Sequence, residues 1–291
     1  MIKDFEYFVP KTVEDALRLL SEYKEESKVI AGGQSLLILM RQGLVAPKYL
    51  VDIKGLSSLD YIRLDPKEGL RIGSLSTHRA IEKSPLIRER FSVLAEAEQN
   101  VGSVQTRNWG TIGGNLSHGD SAGDLAPVLI ALEGKVKITS LGGERTLSVE
   151  NFFRDYFDTV LKEDEILTEI QVPLPPPHTG SAYAKFTKRE GDMAIVGTAV
   201  SMTFNPKDGI CKNARIVLGA VANVPLRAKK AEKMLVGKEI KNASIDKTAR
   251  VASEEAQPIS DVQASEEYKR ELVKVLVKRV AWKAFEKAEK S

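Results

Sequence analysis

The chain of 291 residues carries 43 Lys and Arg against 40 Asp and Glu, a formal net charge of +3, with 42% hydrophobic and 29% charged residues. That length accommodates two domains and a sizeable core, and the even mixing of acids and bases argues against a nucleic-acid partner. A single cysteine, Cys211, excludes an internal disulfide and a cysteine-ligated iron–sulfur cluster, which needs four thiolates.

The opening Met1-Ile2-Lys3-Asp4-Phe5 lacks the apolar core of a signal peptide. No apolar run approaches the roughly 20 residues of a membrane span, so the expected location is cytoplasmic, with no membrane span. A strand and loop lead to a helix whose start, Thr12-Val13-Glu14-Asp15, has a capping pattern, with Ala16, Leu17, Leu19 and Leu20 as its apolar face. A short strand at Lys28 to Ile30 runs into Ala31-Gly32-Gly33-Gln34-Ser35, followed by a helical turn from Leu36 to Arg41 and a strand from Tyr49 to Ile53. This is a small β-α-β unit over about residues 1–55. Its loop lacks the G-x-G-x-x-G spacing of a Rossmann unit, which is therefore rejected.

A second unit begins near Leu56, with a strand at Gly69 to Gly73, a helix opening at Ser76-Thr77-His78 and another from Phe91 to Gln99. Then comes Thr111-Ile112-Gly113-Gly114-Asn115, which continues through His118, Asp120 and Asp124 into a helix reaching about Leu132. Two Gly-Gly segments, each leaving buried structure and each expected to be rich in free N–H donors, suit a diphosphate gripped from two sides. Strands follow near Val136 to Thr139 and Ile166 to Val172. Pro173 to Pro177 then stiffens the chain and marks the domain boundary.

Beyond it, strands at Ala182 to Lys188, Ile195 to Phe204 and Cys211 to Ala220 and three closing helices predict an antiparallel sheet covered by helices. The last helix, about Ser265 to Glu289, is expected to pack through Leu272, Val275, Leu276 and Val280. Cys211 reads as a half-buried strand residue, His78 as part of a helix start and His178 as part of the linker. Three dispersed histidines make no metal site.

The pattern A-G-G-Q-S from Ala31, T-I-G-G-N from Thr111, the downstream H-x-D-x-x-x-D, and K-F-x-x-R-x-x-D from Lys185 to Asp192 together resemble one family. It is the FAD-binding medium subunit of the molybdenum hydroxylases, of the carbon monoxide dehydrogenase and xanthine dehydrogenase type, and the resemblance covers essentially the whole chain. It implies an α+β fold: a vanillyl-alcohol-oxidase-type FAD-binding domain at residues 1–176, with subdomains of about 1–55 and 56–176, and a C-terminal domain at 177–291. It also implies that FAD lies between the subdomains, contacted by Ala31, Gly32, Gly33, Gln34, Ser35 and Leu36 on one side and by Thr111, Gly113, Gly114 and Asn115 on the other.

Further contacts implied by the resemblance are Val101, Gly102, His118 and Asp120. Asp124 would accept from the adenosine ribose, Leu167 would flank the adenine or flavin, and Lys185 would reach toward the isoalloxazine. Met193 stands where some relatives place an aromatic, and Ser121 where many have Pro. No catalytic or metal-ligating residue is expected. The implied function is electron transfer from an iron–sulfur small subunit through FAD to an external acceptor, with substrate oxidation in a molybdenum-cofactor large subunit. The alternatives are a free-standing FAD oxidoreductase of the same fold and a non-catalytic adaptor that has lost FAD.

Overall fold

Thr12 accepts a hydrogen bond from the backbone N–H of Asp15 and starts the first helix where the capping pattern places it. This computed structural model describes residues 2–290, so Met1 and Ser291, the ends of the expected domain ranges, lie outside the described residues. The first unit runs β1 (Glu6–Phe8), α1 (Val13–Tyr23), β2 (Ser27–Ile30), α2 (Leu36–Arg41) and β3 (Tyr49–Asp52). Its three strands are parallel, in the order β1-β3-β2. Ala16, Leu17 and Leu20 of α1 pack with Val51 and Ile53 into a small core, which the spacing of its apolar residues dictates.

The second unit holds β4 (Ile62–Asp65), β5 (Gly69–Gly73), α3 (His78–Lys83), α4 (Pro85–Arg90), α5 (Ser92–Gln99), α6 (Val104–Trp109), α7 (Ile112–His118) and α8 (Leu125–Ala131). It continues with β6 (Lys135–Ser140), β7 (Gly143–Ser148), a hairpin of β8 (Phe153–Asp155) and β9 (Asp158–Thr159), and β10 (Ile166–Val172). Its main sheet is antiparallel, in the order β4-β5-β10-β6-β7. The helices cover that sheet, and α8 is buried along its whole length. The second glycine segment is therefore helical, where the sequence predicts a loop. Gly113 and Gly114 form the first turn of α7, capped by the Thr111 hydroxyl, which accepts from Gly114 N–H at 3.1 Å.

The third unit is the sheet β11 (Thr179–Phe186), β12 (Val196–Phe204), β13 (Cys211–Gly219) and β14 (Leu226–Arg227), with helices α9 (Lys229–Leu235), α10 (Asn242–Glu255) and α11 (Glu266–Ala288). Register sets Tyr183 opposite Ala199 and Ala199 opposite Val217. These three residues face the second unit and belong to its core, while Ala182, Val200 and Ile216 face α10 and α11. Both faces of the sheet are thus buried, and packing runs without a break across the proline segment. Val275 is 42% exposed, so the inner stripe of α11 runs instead through Leu272, Val273, Leu276, Val277, Val280 and Ala281. Cys211 is fully buried rather than half-buried, and burial pushes its thiol up to about 11, which leaves it unreactive. Among the described residues no helix is long and apolar enough to cross a membrane.

The closest approach in the third unit lies at Gly180, where an added Cβ would stand 1.9 Å from the carbonyl oxygen of Ala284 in α11. Gly180→Ala should force α11 off the sheet and destabilise the protein by about 1–3 kcal/mol, as overpacking does. Urea unfolding monitored by circular dichroism measures this. An unchanged midpoint would show that α11 does not bear on β11 as described.

Candidate functional site

The first glycine segment presents a row of open donors. Gly33 has φ +69°, a left-handed turn that bends the chain from β2 into α2. From Gly32 through Leu36, no backbone N–H has a hydrogen-bond acceptor among the described residues. The only bond made by a side chain here is Gln34 Nε2 to the Gly32 carbonyl, 3.1 Å. Successive unpaired N–H groups on a tight turn form a concave nest for an anion.

The second segment differs from the sequence expectation. Its N–H groups are already committed: Ile112 to the Ser76 carbonyl at 3.1 Å, Gly113 to the Ser74 carbonyl at 2.9 Å and Asn115 to the Thr111 carbonyl at 2.9 Å. With Gly114 bonded to Thr111 Oγ1, the row of free donors predicted for this segment is not there. What it offers is an open surface. Gly114 is exposed, and an added Cβ there would meet only Thr111 Oγ1 within 4 Å, whereas one on Gly113 would stand 2.5 Å from the Ser74 Cβ. Gly113 thus serves helix–sheet packing, and Gly114 leaves space for a ligand.

The first segment meets, backbone to backbone, the residues that lead into the second. A Cβ on Gly32 would lie 2.1 Å from the Trp109 carbonyl oxygen and 2.8 Å from Gly110 Cα. Lys54, just beyond β3, sets its ammonium 3.2 Å from the centroid of the Trp109 ring and clamps the same junction.

Asp124 and Lys185 also come together, each engaged within the protein. Lys185 Nζ, rather than reaching out toward a ring, donates to the Asn100 carbonyl at 2.8 Å, to Asp124 Oδ2 at 3.0 Å and to the Asp192 carbonyl at 2.8 Å. Three acceptors use all three hydrogens of the ammonium. Asp124, 4% exposed, takes a second bond from the Tyr183 hydroxyl at 2.6 Å, so both its oxygens are occupied within the protein. Burial raises the Asp124 carboxyl above its usual range, opposed by Lys185 and the Tyr183 bond. Burial likewise drives the Tyr183 hydroxyl well up.

This cluster gathers further expected residues. Gly191 lies against the Gly102 carbonyl, which places the β11–β12 loop and the exposed Met193 beside Val101–Gly102. Arg107 fixes that turn by donating to both the Val101 and Gly102 carbonyls at 3.1 Å. Leu167 is 4% exposed, its side chain packed within the core. Asp120 braces its own loop by accepting from Ala122 N–H at 2.9 Å, which fixes the turn with Ser121 in it. His118 closes the far end of α7, its ring 5.1 Å from that of Phe157 and tilted by 50°, and burial lowers its pKa.

Sequence reasoning did not single out Tyr183, Arg107 or a buried pair in which His78 Nδ1 lies 2.8 Å from Glu98 Oε2. Burial pushes the Glu98 carboxyl up, against the pull of His78.

Residues 3–175 match the family model described as the FAD binding domain in molybdopterin dehydrogenase. Residues 181–284 match the CO dehydrogenase flavoprotein C-terminal domain. The chain belongs to the FAD-binding medium subunits of the molybdenum hydroxylases. It is 35% identical over 284 residues to the nicotinate dehydrogenase FAD-subunit of Eubacterium barkeri, covering 96% of this chain and 95% of the relative. It is 34% identical over 283 residues to the carbon monoxide dehydrogenase medium chain of Hydrogenophaga pseudoflava, covering 96% and 97%. A solved structure of carbon monoxide dehydrogenase from that organism, lacking the Mo-pyranopterin moiety of its molybdenum cofactor, superposes with a TM-score of 0.95 over 99% of each chain.

FAD is therefore the cofactor of this oxidoreductase subunit, and the residues fit it: the unpaired N–H row at Gly32–Leu36 is the chemistry that a diphosphate needs, beside an open glycine face at Gly114. Removing the cation from the inner cluster gives a clear outcome. Lys185→Met would leave the Asp124 carboxylate buried with one donor, a loss of about 3–5 kcal/mol. Without the ammonium the folded carboxyl rises further above its unfolded value. Its contribution is then full below the unfolded pKa and lost as pH rises through the folded one. Urea titrations should show a larger destabilisation near pH 8 than near pH 5; equal losses at both would contradict this charge assignment.

Proposed function

We propose that this chain is the electron relay of a cytoplasmic molybdenum hydroxylase. When bound, FAD accepts electrons from the iron–sulfur clusters of a small partner subunit and passes them to an external acceptor, while a large molybdenum-cofactor subunit oxidises the substrate. The observation that carries this reading is arithmetic joined to geometry. One buried cysteine cannot ligate a cluster, and the unpaired N–H row at Gly32–Leu36 suits the diphosphate of a dinucleotide.

Each group in the chain has a stated task. The N–H row from Gly32 to Leu36, flanked by Ala31 and the Ser35 hydroxyl, binds the diphosphate. Thr111, Gly114 and Asn115 form the opposing wall, with Gly113 setting its position against β5. Asp124 and Lys185 act from behind, holding the end of α5 at Asn100 and the β11–β12 loop at Asp192, so that Val101, Gly102 and Met193 present one fixed surface. His118 and Asp120 order the segment that joins α7 to α8.

Two measurements test this. Gly114→Val sets a Cβ 3.0 Å from Thr111 Oγ1 and its methyls on the exposed face, without a backbone penalty at positive φ, and should abolish flavin retention while the chain still folds. Full flavin content in that variant would remove the second segment from the site. Separately, the purified chain should carry flavin but neither iron nor molybdenum. Dithionite should bleach it, and aldehydes or purines should not, under anaerobic conditions. Bleaching by an organic substrate alone would replace the relay reading with a self-sufficient flavoenzyme.

A further inference from the structure

His78 and Glu98 pose a problem of energetics. They are 3% and 0% exposed, and the second carboxyl oxygen of Glu98 has no hydrogen-bond partner. A buried carboxyl with an orphaned oxygen is a poor stabiliser, and packed apolar residues in its place are often neutral or better for stability.

The location of the pair supplies the reason for it. The segment Ser74–His78 acts as a template for the start of α7: Ser74 and Ser76 accept from Gly113 and Ile112, Thr77 bridges Thr111, and His78 N–H donates to the Gly110 carbonyl at 3.0 Å. The imidazole fills the space beside Gly110, where an added Cβ would lie 2.9 Å from its Cδ2. Glu98 fixes the ring's orientation from α5. That helix leads directly to Asn100, whose carbonyl holds Lys185, and to Val101–Gly102.

We propose that His78 and Glu98 are positioning residues for FAD: the Glu98 carboxyl holds the His78 ring against Gly110, and the ring sets the turn that carries Thr111 and Gly114 into the cofactor cleft. Neither side chain lines the open face of the site. This rests on the assignment of the second glycine segment to FAD.

The test separates cofactor affinity from stability in the flavin-stripped full chain, using FAD titration by fluorescence and thermal unfolding without FAD. The double variant His78→Phe/Glu98→Leu should unfold at or above the wild-type temperature, yet bind FAD about 10- to 100-fold more weakly, the range seen when the support behind a ligand-binding group is lost. Glu98→Gln, equal in volume and still able to bond Nδ1, should stay within about threefold of wild type. If the double variant does not fold, His78→Gln, which keeps a polar end for Glu98 but loses the ring, should show the same weakening with a near-native unfolding temperature. Wild-type affinity in the double variant or in His78→Gln overturns the proposal, as does a loss of affinity that only follows lost stability. Wild-type affinity there together with lost flavin in Gly114→Val overturns this proposal alone; wild-type affinity in all of these variants overturns the segment assignment beneath it.

Discussion

The proposed cofactor site depends on the first glycine segment touching, backbone to backbone, the residues that lead into the second. Gly32 can meet the Trp109 carbonyl and Gly110 only because no Cβ stands between them, and Lys54 over the Trp109 ring holds the junction closed. That contact sets the left-handed turn at Gly33 beside the start of α7. The two sides are unequal: the Gly32–Leu36 side supplies donors, and the Thr111–Asn115 side supplies shape. On the proposed reading the charge of a diphosphate would be answered chiefly by the first.

Behind the two segments lies a chain of buried charge. Tyr183 and Lys185 from the third unit converge on Asp124 from the second, and Lys185 continues to Asn100 and Asp192. Breaking such a pair from one side leaves a charge stranded in the interior, which is far more harmful than never having placed it there. The pair therefore locks the C-terminal sheet to the FAD-binding unit, and the shared packing of Tyr183, Ala199 and Val217 extends the lock. On the proposed reading, elements tied in this way would hold the cofactor in one fixed geometry.

Much of this was legible in the residues. The Thr12 cap, the periodicity of α1 and the turn residues between the C-terminal strands place those elements nearly where they lie. Other features were hidden for physical reasons. Adjacent glycines are poor helix formers, so Gly113–Gly114 read as a loop; the Thr111 cap and the Ser74 and Ser76 carbonyls override that propensity. Glu98 sits in an Ala-Glu-Ala-Glu run that resembles a solvated helix face, and only tertiary packing buries it. The partnership of Asp124 with Lys185 depends on contacts 61 residues apart. One signal was available: strand alternation puts Tyr183 and Lys185 on the same face, so a tyrosine two residues before the key lysine was a candidate partner.

The central claim, that the first segment grips the diphosphate through its open backbone donors, can be read amide by amide. Hydrogen exchange should be compared in the flavin-stripped and FAD-loaded chain. The N–H groups of Gly32 to Leu36, unpaired within the protein, should become strongly protected when FAD binds. Those of Gly113, Gly114 and Asn115, already bonded to Ser74 and Thr111, should change little by comparison. Protection that appears at Gly113–Asn115 and is absent at Gly32–Leu36 would contradict this account.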